Sequence, residues 1–317
     1  MAAFDPKQTL GLRSQRLMLW RSTGERIADG DQKQPASERR TGVEMTNGTV
    51  EEVIARSREE VDQPGLLARA LEPLTRTLFA EAGLQPGMRV LDVCSSVGDV
   101  AFLAREIVGP DGHVTGFDSS AATVAYANER TAFRGLANMN FVEGCFGSLL
   151  FGQDFDAIVG RLVLMYCRDP VTDLRSVVRY LRPGGLVVFQ ELDMLPGKTV
   201  PPAPVVDDVR AWLLDTFARA GLELEMGPKL YATFEAAGLN PPEMRVDGFI
   251  GGAGSVAPAL VAEVARMLMP QAEALGTVTA GQVHIETLEE RMRADLASTR
   301  GVMSTPLVIG AWATLPG

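Results

Sequence analysis

The stretch "VLDVCSSVGDV", Val90 to Val100, decides how the rest of the chain is interpreted. Its first residues are apolar and β-branched, which is typical of a short buried strand, and a helix-forming composition begins at Asp99. A tight turn lies between them, and turns at this place usually carry several glycines when they bind a ligand. Here Cys94 and Ser96 stand where glycines would be usual, and Gly98 is retained. The stretch therefore predicts a strand, a modified ligand-binding turn and a helix.

Strand-like and helix-like segments alternate after this stretch. The predicted strands are, in order, "MRVLDV", "GHVTGFD", "NMNFVEG", "FDAIVG", "GLVVFQELD", "EMRVDGFIGG" and "TPLVIGAWATL". Alternation of this kind predicts an α/β fold with a doubly wound, seven-stranded, mostly parallel sheet covered by helices on both faces. Ligands of such sheets bind outside the carboxyl ends of the strands, so the residues that end strands are the informative ones.

Helical patterns surround and interrupt the strands. The predicted helices cover residues 50–61, 65–82, 99–108, 206–220, 229–237, 256–275 and 281–298, and one lies in "DPVTDLRSVVRYLRPGG", with Val171, Leu174, Val178 and Leu181 on one face. The last two helices form an insertion of about 50 residues between two strands, where a connection of about 4–6 is usual. An insertion of this size suits a lid or substrate wall, or else helical packing on one face of the sheet.

The pattern divides the chain into five parts. Residues 1–44 are polar and predicted to be disordered, with a short helix near Leu17 as the alternative and Met45 as a plausible start. The other parts are N-terminal helices over 45–84, a core over 85–250, a helical cap over 251–300 and the last strand of the core sheet over 301–317.

Composition and charge narrow the class of protein. A net charge of −10 disfavours nucleic acid and anionic membranes as partners. The three cysteines, Cys94, Cys145 and Cys167, lack paired spacing, and with two histidines in the chain neither a disulfide framework nor a zinc site is expected. No apolar run reaches the roughly 18–20 residues of a membrane helix and no signal peptide is recognisable, so we expect a cytoplasmic protein. A homodimer stays open.

Two nucleotide-containing cofactors fit a loop after the first strand. A dinucleotide needs G-x-G-x-x-G so that backbone amides can approach the pyrophosphate, and Asp99 at the start of the helix would repel that group. NAD is therefore disfavoured, although it stays open. S-adenosylmethionine (SAM) has no phosphate, and carboxylates attract its ammonium and sulfonium. Asp118, at the end of the second strand, suits its ribose hydroxyls.

Several motifs between Val90 and Asp193 occur in an order that is known from one family. They are "VLDVCSSVGDV", "GHVTGFDSS", "NFVEGCF", "FDAIVGRLVLMY" and "LRPGGLVVFQE". In this region the chain resembles the class I SAM-dependent methyltransferases. The subgroup it is most similar to is the bacterial small-molecule methyltransferases, of which "GRLVLMY", "LRPGGLVVFQE" and "MGPKLYATFEAAGL" are typical.

The resemblance implies which residues bind the cofactor. Asp92 and the backbone of 94–98 would line the methionine part, the acid after the second strand would hold the ribose, and the residues after the third and fourth strands would flank the adenine and the opposite side. The implied cofactor-binding residues are Asp92, Cys94, Ser96, Gly98, Asp118, Ser119, Cys145, Phe146, Arg161 and Leu162.

The chain departs from the family pattern at three of these positions. The family has glycines where Cys94 and Ser96 stand, and a residue with a Cβ in a left-handed conformation costs roughly 1–2 kcal/mol. The family usually has an acid where Cys145 stands. Because cysteine is a weaker hydrogen-bond acceptor, the replacement costs about 1 kcal/mol of binding free energy. Because these costs are small, we expect a cofactor loop that still functions. The alternative is a degenerate pocket.

Candidates for the chemistry are few. Glu191 and Asp193 end the fifth strand, and we hypothesise that one of them orients or deprotonates the acceptor. The alternatives are a solvated strand end or a partner for Arg161. Tyr166 is a candidate for positioning the substrate, and core packing is its alternative. His284 is expected at the surface and His113 is expected to be structural.

We therefore expect methyl transfer from SAM to a small-molecule acceptor. The apolar segment "VAPALVAEVARMLMP" in the insertion favours a hydrophobic or aromatic acceptor. Two other functions stay open, namely a different reaction such as a cyclisation with the cofactor as a bystander, and SAM binding without catalysis. Methylation of a metalloid through the cysteines would require a cysteine cluster that the spacing does not show.

Overall fold

The computed structural model describes residues 65–152 and 154–317. A seven-stranded sheet forms its centre, in the order β3-β2-β1-β4-β5-β10-β7. Its strands are β1 Arg89–Val93, β2 His113–Asp118, β3 Met139–Glu143, β4 Phe155–Arg161, β5 Leu181–Asp193, β7 Glu243–Asp247 and β10 Leu307–Thr314. The first five run parallel, whereas β10 is antiparallel to both of its neighbours. The predicted doubly wound, mostly parallel sheet is confirmed, and its order reverses between β1 and β4.

Helices cover both faces of this sheet. They are α1 Leu66–Ala82, α2 Asp99–Val108, α3 Ala121–Phe133, α4 Pro170–Val178, α5 Pro204–Arg219, α6 Met226–Ala237, α7 Ala257–Ala274, α8 Ala280–Val283 and α9 Leu288–Thr299. Three of them begin at side chains that cap the helix, because Ser120, Asp169 and Thr279 accept hydrogen bonds from backbone N–H groups in the first turn. The predicted helix over 50–61, the predicted leader and Met45 lie outside the described residues.

Apolar side chains fill the space on both sides of the sheet. Helices α1, α2 and α3 pack around Val90, Val114 and Phe141 on one face, and α4 and α6 pack around Phe189 on the other. Because both faces are buried, the central strands are apolar along almost their whole length. Of the helices in the described residues, none combines the length and apolar character that a membrane crossing requires.

Two predicted helices are shorter than the sequence indicated. The helix over "DPVTDLRSVVRYLRPGG" ends at Val178, and Leu181 is a buried residue of β5 paired with Phe155 rather than part of a helical face. Pro183 cannot continue a helix, and the strand takes over before it. The predicted helix over 281–298 is interrupted at His284, which adopts a left-handed conformation with φ 48°.

A second, smaller sheet was not predicted. It consists of β6 Thr199–Val200, β8 Ile250–Gly251 and β9 Val302–Ser304, with β9 in the centre and antiparallel to both neighbours. The segment "EMRVDGFIGG" is therefore two strands in two different sheets. Strands of two or three residues are too short to show a periodic pattern, so the sequence gives no signal for this sheet.

The cap helices pack against one another and against the N-terminal helix. Helix α7 contacts both α1 and α5, and α9 contacts α5 and α7. Leu67 N–H in the first turn of α1 faces Glu263 Oε1 of α7 at 3.5 Å. Segments from three distant parts of the chain thus come together beside the carboxyl ends of the strands.

Candidate active site

A cleft of about 250 Å³ lies at the carboxyl ends of β1 and β4, where the strand order reverses. Its floor is the loop that follows β1 together with Arg161 and Leu162 at the end of β4. Helix α1 supplies one wall, and Glu263 and Met267 of α7 supply another. The position agrees with the general rule for ligands in doubly wound sheets.

The loop after β1 keeps a glycine-type backbone although two of its residues carry side chains. Cys94 has φ 51° and Ser96 has φ 48°, both in the left-handed region, and Gly98 has φ 90°. The loop is tied to the next strand because Ser95 N–H donates to the carbonyl of Phe117 at 2.8 Å. Each left-handed residue with a Cβ costs roughly 1–2 kcal/mol, which the surrounding hydrogen bonds offset.

Gly98 is the one position of this loop where a side chain would collide with the core. A Cβ added there would lie 2.6 Å from the ring of Phe141, besides requiring the left-handed conformation. Gly98 is also the N-cap of α2. The glycine that the sequence retains is therefore the glycine that the packing requires.

Asp92 is the buried acid of the cleft. Its side chain is 1% exposed, and its Oδ2 has no hydrogen-bond partner among the described residues. Burial raises the pKa of Asp92 to about 8, and the charge of Arg161 opposes part of that rise. A buried, unpaired carboxyl oxygen beside a cleft is suited to a ligand that brings a positive charge or a hydrogen-bond donor.

Asp118 links the loop after β1 to the start of α3. Its Oδ2 accepts from Ser96 N–H at 2.9 Å, and its Oδ1 accepts from Ser120 N–H at 2.9 Å and from Thr123 Oγ1 at 3.2 Å. A carboxylate offers about four acceptor positions, so these three bonds leave capacity for a further hydroxyl. Ser119 is exposed beside it. Ribose binding by Asp118 and Ser119 remains a prediction.

Cys145 and Phe146 follow β3 and lie beyond the cleft described above. The ring of Phe146 packs edge-on against Phe117 with centroids 5.8 Å apart, and Cys145 N–H donates to Ser148 Oγ at 2.9 Å. Their contact with an adenine remains a prediction. Within residues 65–152 and 154–317, no three His, Cys, Asp or Glu side chains are grouped so that they could hold a metal ion.

Arg161 belongs to a buried network of side-chain hydrogen bonds that the sequence did not reveal. Its Nη1 donates to Thr75 Oγ1 at 3.1 Å, and that hydroxyl lies 2.7 Å from Gln190 Oε1. Burial lowers the pKa of Arg161, while Asp99 and Asp92 act in the opposite direction. These hydrogen bonds connect β4 and β5 to α1, so the position of the guanidinium depends on the N-terminal helix.

Asp99 is neutralised by a neighbour instead of facing the cleft as a free charge. Arg130 of α3 donates to Asp99 Oδ1 at 2.9 Å. The negative charge at the start of α2 is thus balanced locally. With this partner, Asp99 repels a phosphate less strongly than an unpaired carboxylate would.

Glu191 is completely buried, and both of its oxygens are bonded to backbone amides. Oε1 accepts from the N–H groups of Val163 and Leu164 at 2.9 and 2.7 Å, and Oε2 faces that of Met165 at 3.3 Å. Burial raises the pKa of Glu191 to about 7, against the effect of the three amides. Glu191 is therefore neither a solvated strand end nor the partner of Arg161. A catalytic role remains a prediction, whereas its contacts are those of a residue that holds the turn after β4.

The remaining polar candidates do not line the cleft. Tyr166 ends the short 3-10 helix Leu164–Tyr166, and burial raises the pKa of its hydroxyl to about 12. Asp193 Oδ1 accepts from Leu195 N–H at 3.2 Å. His284 is exposed in the cap, and the His113 ring pairs with Asn140 Oδ1 at 2.9 Å.

A second cavity of about 140 Å³ adjoins the first cleft. Its walls come from α1, α5, α7 and the small sheet, and they are almost entirely apolar. The residues that line both spaces are Leu67, Leu71 and Leu162, and the last of these has a left-handed backbone with φ 55°. A ligand in the cleft and a ligand in the apolar cavity would therefore meet at Leu162.

Comparison with known proteins agrees with this geometry. A family model described as a methyltransferase domain matches residues 84–236. An arsenite methyltransferase of Halobacterium salinarum is 32% identical over 166 residues, which are 47% of this chain and 41% of that protein. A demethylmenaquinone methyltransferase of Geobacillus kaustophilus is 34% identical over 109 residues, or 34% of this chain and 47% of that protein. The chain thus spans less than half the length of these curated relatives.

The fold itself also has solved counterparts. The crystal structure of the YcgJ protein from Bacillus subtilis superposes with a TM-score of 0.51 at 18% identity, over 77% of this chain and 98% of that one. At this identity the similarity concerns the fold alone. The domain match over residues 84–236, the sheet order and the loop after β1 agree with the resemblance of this region to the class I SAM-dependent methyltransferases.

Proposed function

We propose that this chain transfers the methyl group of SAM to a small, apolar acceptor. The observation that carries the proposal is the unpaired oxygen of Asp92, buried in a cleft that opens onto an apolar cavity. A ligand with positive charge satisfies that oxygen, and an apolar molecule suits the adjoining cavity. SAM supplies an activated methyl group on a sulfonium when it is bound.

The residues of the cleft fit such a cofactor. Asp92 would face the ammonium as a carboxylate once its proton is released on binding, and Asp118 retains acceptor capacity for ribose hydroxyls. The left-handed backbone at Cys94 and Ser96 keeps the path that glycines would give the loop. These features support a functional loop over a degenerate one.

The chain's own part in the reaction is alignment and the exclusion of water. In-line transfer requires the acceptor atom to face the methyl group at close range in a dry site. Leu162, which borders both spaces, is placed to set that approach. Glu191 holds the turn directly after Leu162 through three amides, so we assign it a positioning role.

A direct assay separates methyl transfer from its alternatives. Cell extracts are incubated with the protein and SAM carrying a labelled methyl group, and the products are profiled by mass spectrometry. Methyl transfer predicts a labelled product that is heavier by one methyl group. An isomer of equal mass would indicate another reaction, and SAM binding without product would indicate a protein without catalysis.

A cytoplasmic location and a homodimer rest on the sequence and remain predictions.

The cofactor assignment has its own test in calorimetry of SAM binding. The Asp118→Ala variant should lose about tenfold or more in affinity, because it removes the acceptor for the ribose and the tie to Ser96. Asp111→Ala, in an exposed turn before β2, is the matched control and should bind SAM like the wild type. Unchanged affinity in Asp118→Ala would remove the ribose assignment.

A further inference from the structure

One charged side chain interrupts the apolar face of α5. Residues 206, 210, 213 and 217 follow helical spacing and all line the apolar cavity, and three of them are valine, leucine or phenylalanine. Arg210 occupies the remaining position. Arg210 is half-buried there, and a charged group on an apolar face is unusual because burying any of its polar atoms is costly unless a partner satisfies them.

Arg210 is only partly satisfied by the protein. One of its terminal nitrogens donates to the carbonyl of Leu195, whereas its Nε is buried and has no hydrogen-bond partner among the described residues. Asp207 also lines the cavity, but its Oδ1 already accepts from Thr199 Oγ1 at 2.7 Å. The Nε–H donor of Arg210 therefore has no acceptor among the described residues.

Gly197 is the wall residue that lies beside this donor. A Cβ at Gly197 would lie 3.4 Å from Arg210 Nε and 3.3 Å from the carbonyl of Ser304, so glycine preserves space next to the guanidinium. Lys198 also lines the cavity, and the charged residues there are then two cations and one carboxylate, Asp207, that is already hydrogen-bonded. The cavity is locally positive in a chain of net charge −10.

We propose that the apolar cavity selects an amphipathic anion, an apolar molecule with one carboxylate that Arg210 binds through Nε. A neutral hydrocarbon would leave the buried N–H unsatisfied, and a cationic molecule would be repelled. This inference rests on the proposed function in taking the bound molecule as the methyl acceptor. Arg210 is then the residue that determines specificity, on the cavity wall, while the acceptor atom reaches Leu162.

Matched pairs of ligands test this inference without any turnover. Hexanoate, decanoate, benzoate and 2-naphthoate are compared with their neutral carboxamides by calorimetry, with S-adenosylhomocysteine present. At least one acid should bind tenfold or more tightly than its amide. The Arg210→Met variant keeps the apolar volume and should reduce that preference to about twofold or less, while Arg210→Lys should retain part of it.

The control variant is Arg219→Met, at the end of the same helix, where the guanidinium is exposed and pairs with Asp215. It should bind acids and amides like the wild type. An unchanged preference for the acid in Arg210→Met, equal binding of acids and amides by the wild type, or no binding of any acid would each overturn the inference. Melting temperatures of all variants establish that they are folded.

The same samples keep this inference separate from the proposed function. Binding of S-adenosylhomocysteine is measured first, in the absence of any acid. If it fails, the proposed function fails whatever the acids do. If it succeeds and the acids show no dependence on Arg210, the proposed methyl transfer stands and the anionic acceptor is wrong.

Discussion

The cleft and the apolar cavity meet at Leu67, Leu71 and Leu162 but are built in opposite ways. The cleft takes its floor from one continuous stretch after β1 and from the ends of neighbouring strands, and it holds buried polar groups. The cavity takes its walls from α1, α5, α7 and a small sheet, which are far apart in the chain, and one arginine interrupts its apolar surface. The cleft therefore depends mainly on a local motif, whereas the apolar cavity depends on how distant segments pack together.

The largest expected effect tests whether the cleft depends on its local backbone. Gly98→Ala should lower the free energy of unfolding by about 2–5 kcal/mol, because it adds left-handed strain and a contact with Phe141. It should also abolish measurable SAM binding. Urea denaturation and calorimetry measure the two effects.

Gly83→Ala is the matched control for that substitution. Gly83 also caps a helix, has φ 89°, and has no atom within 4 Å of an added Cβ. Gly83→Ala should lower the free energy of unfolding by only about 1–2 kcal/mol, from the added left-handed strain, and should bind SAM like the wild type. Equal losses in both variants would show that the packing against Phe141 is unimportant.

The cavity should respond to a different change. Met303, 3% exposed on β9, lines the apolar wall, and Met303→Ala should cost about 2–5 kcal/mol of stability through the space it leaves. SAM affinity should stay within about twofold, since Met303 does not line the cleft. Val302→Ala, at an exposed neighbouring position, should change stability by less than about 0.5 kcal/mol. A large loss of SAM affinity in Met303→Ala would mean that the two spaces are not independent.

A smaller effect is expected at the turn between the two spaces. Glu191→Gln replaces one oxygen by an N–H group that faces a backbone amide, which should cost about 1–3 kcal/mol of stability. In the wild type the folded-state pKa of about 7 lies above the unfolded value of about 4, so the folded protein holds the extra proton. Stability should therefore fall as pH rises from about 4 to about 7, and this slope should be weaker in the variant.

Turnover distinguishes the two roles considered for Glu191. A positioning role predicts a pH profile of kcat with the same shape in wild type and Glu191→Gln, whereas a general base predicts loss of the limb near the pKa of the group. Asp193→Asn is the control, because that carboxylate makes one local hydrogen bond at the same end of β5. A Glu191→Gln variant as stable as the wild type would contradict the positioning role of Glu191.

The smallest effect concerns the residues that replace glycines. Cys94→Gly removes left-handed strain but raises the conformational entropy of the unfolded chain. We therefore expect the free energy of unfolding to rise by at most about 1 kcal/mol. Ser95→Gly should be destabilising instead, since Ser95 is buried and hydrogen-bonded to the carbonyl of Phe117. Thermal unfolding compares them. A loss of stability in Cys94→Gly would show that its side chain contributes packing that outweighs the strain.

The sequence predicted the central sheet and the loop after β1 because these depend on contiguous patterns. Apolar strands that end at an acid or a glycine can be recognised in the amino-acid sequence, and the bounds predicted for the helix Asp99–Val108 agree with the structure. The helix predicted through Leu181 fails since an apolar residue at helical spacing also suits a buried strand, and only pairing with Phe155 decides between them.

The polar contacts inside the site could not be predicted from single positions. Nothing in the letters shows that Glu191 would accept three amides, or that Thr75 would join Arg161 to Gln190. These bonds join residues between 26 and 115 positions apart, so they depend on how separate segments meet in the fold. One signal was available, namely that Arg210 falls on the apolar face of its helix, and periodicity alone reveals that position.

Proton release on SAM binding tests the central claim most directly. Calorimetry at pH about 6, in two buffers of different ionisation enthalpy, keeps the cofactor's amino group charged, while Asp92 with a pKa of about 8 is protonated in the free protein. If the cation of SAM lies against Asp92, the wild type should release close to one proton on binding and Asp92→Asn should release none. Equal proton release in the two proteins, or no binding by the wild type, would contradict the account.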